Sequence, residues 1–323
     1  MAYSVYKLSG KNSHKIKQIY EDFESKAIDV YGFEFYPIDF DTFSAALSQG
    51  LLNALVLYDD DIPEAILIYS ISEIDETIEL NVIHSLSFEN IVEKNNLLIK
   101  ALINFTDPKE IVLISYPMLG EQSEYAKYIT KLGFKLVSQS IFRFNLDDTT
   151  SLKIFKNKHV KTPSDLKLVR WSEKYYESAV VLIHKAFKDT TDALYDRRFL
   201  SLSGCRDVLE KITKDIYGNM LRDASFLLLD NECPVAFCFA NLSSPQIANI
   251  PLIGCREEFT SKGLGSFLLK QSVGTIIEKV VEGKLSVVEI NATTASENNA
   301  SMRMYRSLGF KEDVSYIHSF YEF

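Results

Sequence analysis

Cysteine is scarce in this chain and poorly spaced for cross-linking. The 323 residues hold four, Cys205, Cys233, Cys238 and Cys255, with no Cys-x-x-Cys pair. That pattern excludes a disulfide-stapled secreted scaffold and argues against a thiolate metal centre, so reduced thiols, a cytoplasmic setting and no metal are expected. No apolar run reaches the roughly eighteen residues that span a bilayer, and Met-Ala-Tyr-Ser at the start lacks the regions of a signal peptide. Positive charge is in deficit, 35 Lys and Arg against 44 Asp and Glu, a formal net charge of −9. Neither nucleic acid nor an anionic membrane is an expected partner, although a local basic patch stays open. Apolar residues are plentiful at 46%, with 24% charged, which suits full cores, and the length is comfortable for two domains.

The second half echoes the first. Leu55 to Tyr69 reads as two strands around a tight acidic turn, and Phe226 to Phe239 repeats the pattern, Asp59 and Pro63 returning as Asp230 and Pro234. Thr77 to Ile83 leads to a helix near Asn95 to Phe105, as Ala248 to Cys255 leads to a helix after Gly265. Leu132-Gly-Phe134 returns as Leu308-Gly-Phe310. Similar events at nearly constant separation mean an internal repeat of whole domains. The expected division is 1–147, a polar linker 148–164, and 165–323.

Two stretches of the second half carry chemistry. Ile250 to Gly265 reads as a strand, a small-residue turn and a helix start, and Gly263 and Gly265 would let an anion approach the first, unpartnered helix amides. An ordinary tight turn is the alternative. In Asn298 to Phe310, Asn298 or Asn299 caps a helix, Met302 and Tyr305 share a face, and Gly309 stops it. Together these stretches resemble the GNAT superfamily of N-acetyltransferases. Thr260-Ser-Lys-Gly-Leu-Gly265 is similar to its phosphate loop, with Thr260 where Arg or Gln is usual, and Asn298, Ser301, Tyr305, Leu308, Gly309 and Phe310 match its later motif.

The resemblance implies an α/β (α+β) fold of two tandem GNAT-like domains. Each would be a curved, mostly antiparallel mixed sheet flanked by helices, and the two would pack as an internal pseudo-dimer in a monomer or weak homodimer. It implies acetyl-CoA, or another acyl-CoA, as cofactor and an amine as acceptor. Thr260, Ser261, Lys262, Gly263, Leu264, Gly265 and Ser266 would hold the pyrophosphate. Ile253, Gly254 and Cys255 would offer a strand edge to the pantetheine, with Asn298 and Ser301 nearby. Pro251 marks either a bulge that splays this strand or simply a strand start. Tyr305 stands at the position of the general acid, a core tyrosine being the alternative.

The base is less well marked. The strand before the loop carries no acid, which leaves Glu289, with Asp192, Asp196 and His184 as others. Asp192, Tyr195, Asp196 and Arg197 fall where the family builds its acceptor site, the acids suiting a cationic amine and Arg197 a carboxylate; an exposed helix connection is the alternative. In the N-terminal copy, aligning Val82 with Leu252 sets Glu93 opposite Gly263, Asn95 opposite Gly265 and Glu89 near Thr260, and Ile129 falls where Tyr305 stands. That copy is expected to be degenerate. The function expected is an N-acyltransferase; a non-catalytic acyl-CoA sensor or interaction protein is the competing expectation.

Overall fold

The structure, a computed structural model, describes residues 3–33, 36–73 and 75–323. In chain order the first half forms β1 (Tyr3–Lys7), α1 (Lys17–Lys26), α2 (Phe40–Gln49), β2 (Asn53–Asp59), β3 (Ile62–Ser72), β4 (Thr77–Ser85), α3 (Ile91–Phe105), β5 (Leu113–Met118), α4 (Ala126–Ile129) and β6 (Lys135–Asn145). Then come α5 (Thr149–Asn157), β7 (Lys167–Arg170), α6 (Tyr176–Phe187), α7 (Asp192–Tyr195), α8 (Leu202–Thr213), β8 (Asn219–Met220), β9 (Phe226–Asp230) and β10 (Cys233–Ser244). The chain closes with β11 (Ile247–Cys255), α9 (Leu264–Val281), β12 (Glu289–Ala295), α10 (Asn299–Ser307) and β13 (Lys311–Glu322). Among the described residues no helix is long and apolar enough to cross a membrane.

The chain divides into two compact units: residues 1–137 with 316–323, and residues 138–315. The first orders its strands β1-β2-β3-β4-β5 and adds the end of β13, antiparallel to β5. Alternation along β2 explains its two cores. Leu55 and Leu57 face α3, packing with Leu98, Ile99 and Leu102, whereas Val56 faces α1 and α2, packing with Ile19, Phe23 and Phe43. Asp39 caps α2, its Oδ1 accepting from Thr42 N at 2.9 Å, and Gly50 ends it at φ 74°.

The second unit orders its strands β6-β12-β11-β10-β9-β7, with β8 beside β10. Asn231 and Glu232, both at positive φ, make the tight turn of the β9–β10 hairpin. On one face Cys238, Ala240, Ile250 and Ile290 pack against α9 and α10. On the other, Phe237 and Phe239 are fully buried against α6 and α8, each ring contributing about 2–3 kcal/mol by its burial. Residues 149–157, within the stretch read as a polar linker, form α5. Asp148 caps it, Phe155 meets Phe144 edge-on at 5.6 Å, and the Ser151 carbonyl lies 2.6 Å from where a Cβ on Gly309 would be.

Both units are mixed α/β with mostly antiparallel sheets flanked by helices, as the sequence implies. The last strand of each repeat serves the unit of the other repeat. Residues 139–145 pair with β12, and 317–322 pair with β5.

Candidate functional site

In the second unit β11 and β12 run parallel but pair over only three rungs, Ile247–Glu289, Ala248–Ile290 and Asn249–Asn291. Beyond them β11 keeps its partner β10 as far as Cys255, while β12 keeps its partner β6 as far as Ala295. The sheet therefore forks, and the β12-facing edge of Ile253, Gly254 and Cys255 is left outside any ladder. The cause lies in sequence. Ile250 and Pro251 together stand opposite the single residue Ala240, a bulge that turns β11 away, and Pro251 has no N–H to lose there. Gly254 has a packing reason of its own, since a Cβ on it would lie 3.1–3.3 Å from Phe237, Ala186 and Phe187.

The loop at the open end leads into the 18-residue α9. Thr260 donates both its N–H and its hydroxyl to the Glu257 carbonyl, at 3.0 and 2.7 Å, closing a short turn. Ser261 and Gly263 then take positive φ, 60° and 77°, which reverses the chain so that the Leu264, Gly265 and Ser266 amides begin the helix without carbonyl partners inside it. Nothing lies within 4 Å of a Cβ built on Gly263, so its approach is open. Gly265 has a different reason from the one expected: its missing Cβ makes room for Met304 Sδ, which a Cβ would meet at 2.9 Å. The glycine lets α10 close on the start of α9. Lys262 Nζ lies 4.6 Å from the centre of the Phe259 ring.

α10 brings Tyr305 to the fork. Asn298 caps the helix, its Oδ1 accepting from Ser301 N at 3.1 Å, which is the backbone role both residues have here. Tyr305 is buried and stacks on Phe142 at 5.2 Å. Phe142 pairs with Ala292, the residue just past the last β11–β12 rung. Burial raises the Tyr305 phenol above the ordinary tyrosine range, and the nearby Cys238 and Asp192 add to this.

Asp192 joins this group from the other face. Its Oδ1 accepts from Tyr195 Oη at 2.8 Å and its Oδ2 from Thr190 Oγ1 at 3.4 Å, while Gln139 Nε2 donates to Tyr195 Oη at 2.8 Å. Burial raises the Asp192 carboxyl against the lowering effect of these bonds. Glu289 is not brought here. It sits on the first rung, at the closed end of the fork, with Oε1 2.6 Å from Arg143 Nη1. Asp196 is committed to the two-point pair with Arg198, at 2.8 and 2.6 Å, and Arg197 takes no part in it. His184 lies in the last turn of α6.

Two residues that the sequence reading missed stand at the fork. Both polar atoms of the Asn291 side chain are buried without a partner, on the last shared rung opposite Asn249. Arg256, just after β11, has its Nε buried without a partner. A buried donor or acceptor left unmet costs about 1–3 kcal/mol, which sets both apart from the paired polar groups around them. The polar spacing of Asn249 and Asn291 inside apolar strands was the available signal.

Residues 191–310 match the model of the acetyltransferase (GNAT) family. This segment is a GNAT domain. The whole chain shares its fold with solved structures, one of them a tandem GNAT protein. A tandem GNAT protein from the clavulanic acid biosynthesis pathway aligns at 11% identity with TM-score 0.58, over 99% of this chain and 98% of that one. A GCN5-related N-acetyltransferase from Sphaerobacter thermophilus aligns at 13% and 0.62, over 99% and 95%. A glucosamine N-acetyltransferase region of a fungal GH3 β-N-acetylglucosaminidase gives 12% and 0.65, over 99% of this chain and 38% of that one. No curated protein matches the sequence at a significant level.

Proposed function

We propose that the unit holding the GNAT segment, read in sequence as 165–323, is an acyl-CoA-dependent N-acyltransferase that places acetyl on an amine. The observation that carries this reading is the fork. β11 and β12 part after Asn249 and Asn291, the anion-ready amides of α9 stand at its open end, and a buried phenol stands at its crotch.

The residues fit such a cofactor. The free β11 edge at Ile253 to Cys255 suits the amides of a pantetheine arm, and the amides from Leu264 to Ser266, open at Gly263, suit a pyrophosphate. Arg256 Nε and Asn291 supply unmet polar atoms beside them. Acyl-CoA, when bound, supplies a thioester-activated acyl group. Tyr305 keeps its hydroxyl proton because burial disfavours the phenolate, and so holds the proton that a leaving thiolate requires. Asp192 is a stronger base than an ordinary carboxylate because of its burial, and its carboxylate accepts the proton that an ammonium must lose before it attacks. Tyr195 and Gln139 position that carboxylate.

The test is acetyl transfer from acetyl-CoA to a panel of primary amines by wild type and Tyr305→Phe, with acetyl-CoA affinity measured beside it. The expected result is turnover whose kcat falls about 100-fold in the variant while the affinity stays within about twofold. Turnover unchanged in the variant would remove Tyr305 from the chemistry. Tight acetyl-CoA binding with no turnover on any amine would favour the sensor reading.

A further inference from the structure

The first unit contains a cavity of about 240 Å³ in its own right, between the start of α3 and the segment 121–128. Ile83, Phe88, Ile91 and Val92 form its apolar wall. Its polar lining comes from four tyrosines, Asn95 and Gln122, with Glu121, Glu124 and Lys127.

Tyr31, Tyr116 and Tyr125 all line the cavity, and each hydroxyl proton is already given to the protein. Tyr116 Oη donates to Gln122 Oε1 at 2.6 Å, and Tyr125 Oη to Asn96 Oδ1 at 2.5 Å. For Tyr31 the direction follows from a chain of partners. The Asp22 carboxylate, 2.9 Å from His84 Nε2, can only accept, so Nε2 carries the imidazole proton. Burial lowers the His84 pKa to about 4, the ring is neutral, and Nδ1 therefore accepts from Tyr31 Oη at 2.6 Å. Burial raises all three phenols, so none ionises near neutral pH.

What remains on each tyrosine oxygen is an unshared lone pair. Asn95, also in the lining, has its Oδ1 buried with no partner, an acceptor without a donor. Glu121 and Glu124 add carboxylates at the rim, opposed by Lys127, whose Nζ lies 5.0 Å from the centre of the Tyr128 ring. A hollow walled by aliphatic groups and aromatic rings, where the Tyr31, Tyr116, Tyr125 and Asn95 oxygens can accept and two carboxylates face one ammonium at the rim, favours a ligand with several N–H donors on an apolar body.

We propose that this cavity is a second ligand site, specific for a primary ammonium carried on a short alkyl or arylalkyl group. The ammonium sits between Tyr31 Oη, Asn95 Oδ1 and the Glu121 carboxylate, with its apolar part against Ile83 and Val92. Acyl-CoA is not the ligand proposed here, since at the β4 edge Ile83 N already donates to Gln122 Oε1 at 3.4 Å. The site stands whether or not the second unit transfers acyl groups.

The experiment is calorimetric titration of the full chain with 2-phenylethylammonium and with 2-phenylethanol, repeated on Glu121→Gln and Asn95→Leu. Glu121 is exposed, so its substitution leaves the fold intact. The ammonium is expected to bind at least about tenfold more tightly than the alcohol. Each substitution is expected to weaken the ammonium severalfold and leave the alcohol unchanged. An ammonium bound no more tightly than the alcohol, no binding at millimolar concentration, or an affinity untouched by either substitution overturns the proposal.

Discussion

The two units share a frame and differ at the places where a nucleotide-bearing thioester would touch them. In each, a parallel strand pair closes over three rungs and then parts, Thr77 to Glu79 with Leu113 to Ser115 in one and Ile247 to Asn249 with Glu289 to Asn291 in the other. In each, a left-handed residue starts the helix that follows, Asn90 at φ 53° and Gly263 at 77°. The connection is 86–90 in the first unit and 256–263 in the second, three residues shorter, which corrects the sequence alignment: Asn90, not Glu93, stands where Gly263 does. The first unit also sets Gln122 against its strand edge, Oε1 accepting from Ile83 N at 3.4 Å, and its α4 is one turn of four residues with Ile129 where α10 presents Tyr305. The fork is thus a property of the fold. The loop length, the open glycine and the phenol are what set the two copies apart.

The largest contrast expected concerns acid. His84 has a folded pKa lowered from 6.5 to about 4, so the unfolded state binds a proton first as pH falls. Its stabilisation is complete above pH 6.5 and is lost on the way down to pH 4, about 3 kcal/mol from the first unit. Asp192 has the opposite sign: its folded pKa is raised, so acidification relieves the second unit of a buried charge. Unfolding of the intact chain in urea, followed at pH 7 and pH 4.5, should show the first unit weakening ahead of the second. Proton resonances placing the His84 titration near its ordinary value would break the contrast.

A smaller effect separates the two acids of the second unit. Asp192→Asn is expected to lower kcat about tenfold to a hundredfold and to remove the acidic limb of its pH profile. Glu289→Gln, which breaks the pair with Arg143, is expected to cost about 1 kcal/mol of stability and to leave that limb in place. The reverse outcome, an acidic limb that depends on Glu289, would move the base to the closed end of the fork.

The sequence shows the repeat, the loop and the α10 motif because each rests on local chemistry: Gly263 and Gly309 take positive φ, and Asn298 caps. The exchange of final strands is not legible there. Lys135–Asn145 and Lys311–Glu322 both follow Leu-Gly-Phe and left-handed glycines at φ 96° and 93°. Nothing local to either strand states which neighbour it pairs with. Asp192 and Glu289 looked alike for a similar reason, since burial and partners, not residue type, set them apart. Arg256 and Asn291 escaped notice because a missing partner is visible only in three dimensions. α5 was hidden by its polar exposed face, and the polar stretch 148–164 read as linker.

The most direct test of the difference between the copies is the stoichiometry of acetyl-CoA binding, measured by calorimetry on wild type, Gly263→Asn and Gly263→Asp. Asn and Asp both tolerate the left-handed backbone and are nearly isosteric, so the pair differs by the charge and by the amide donor it replaces. One site per chain is expected, retained in Gly263→Asn and weakened about tenfold or more in Gly263→Asp, as a carboxylate at the start of α9 would repel a pyrophosphate. Two sites per chain, or equal affinity in the two variants, would contradict a single functional loop at Thr260 to Gly265.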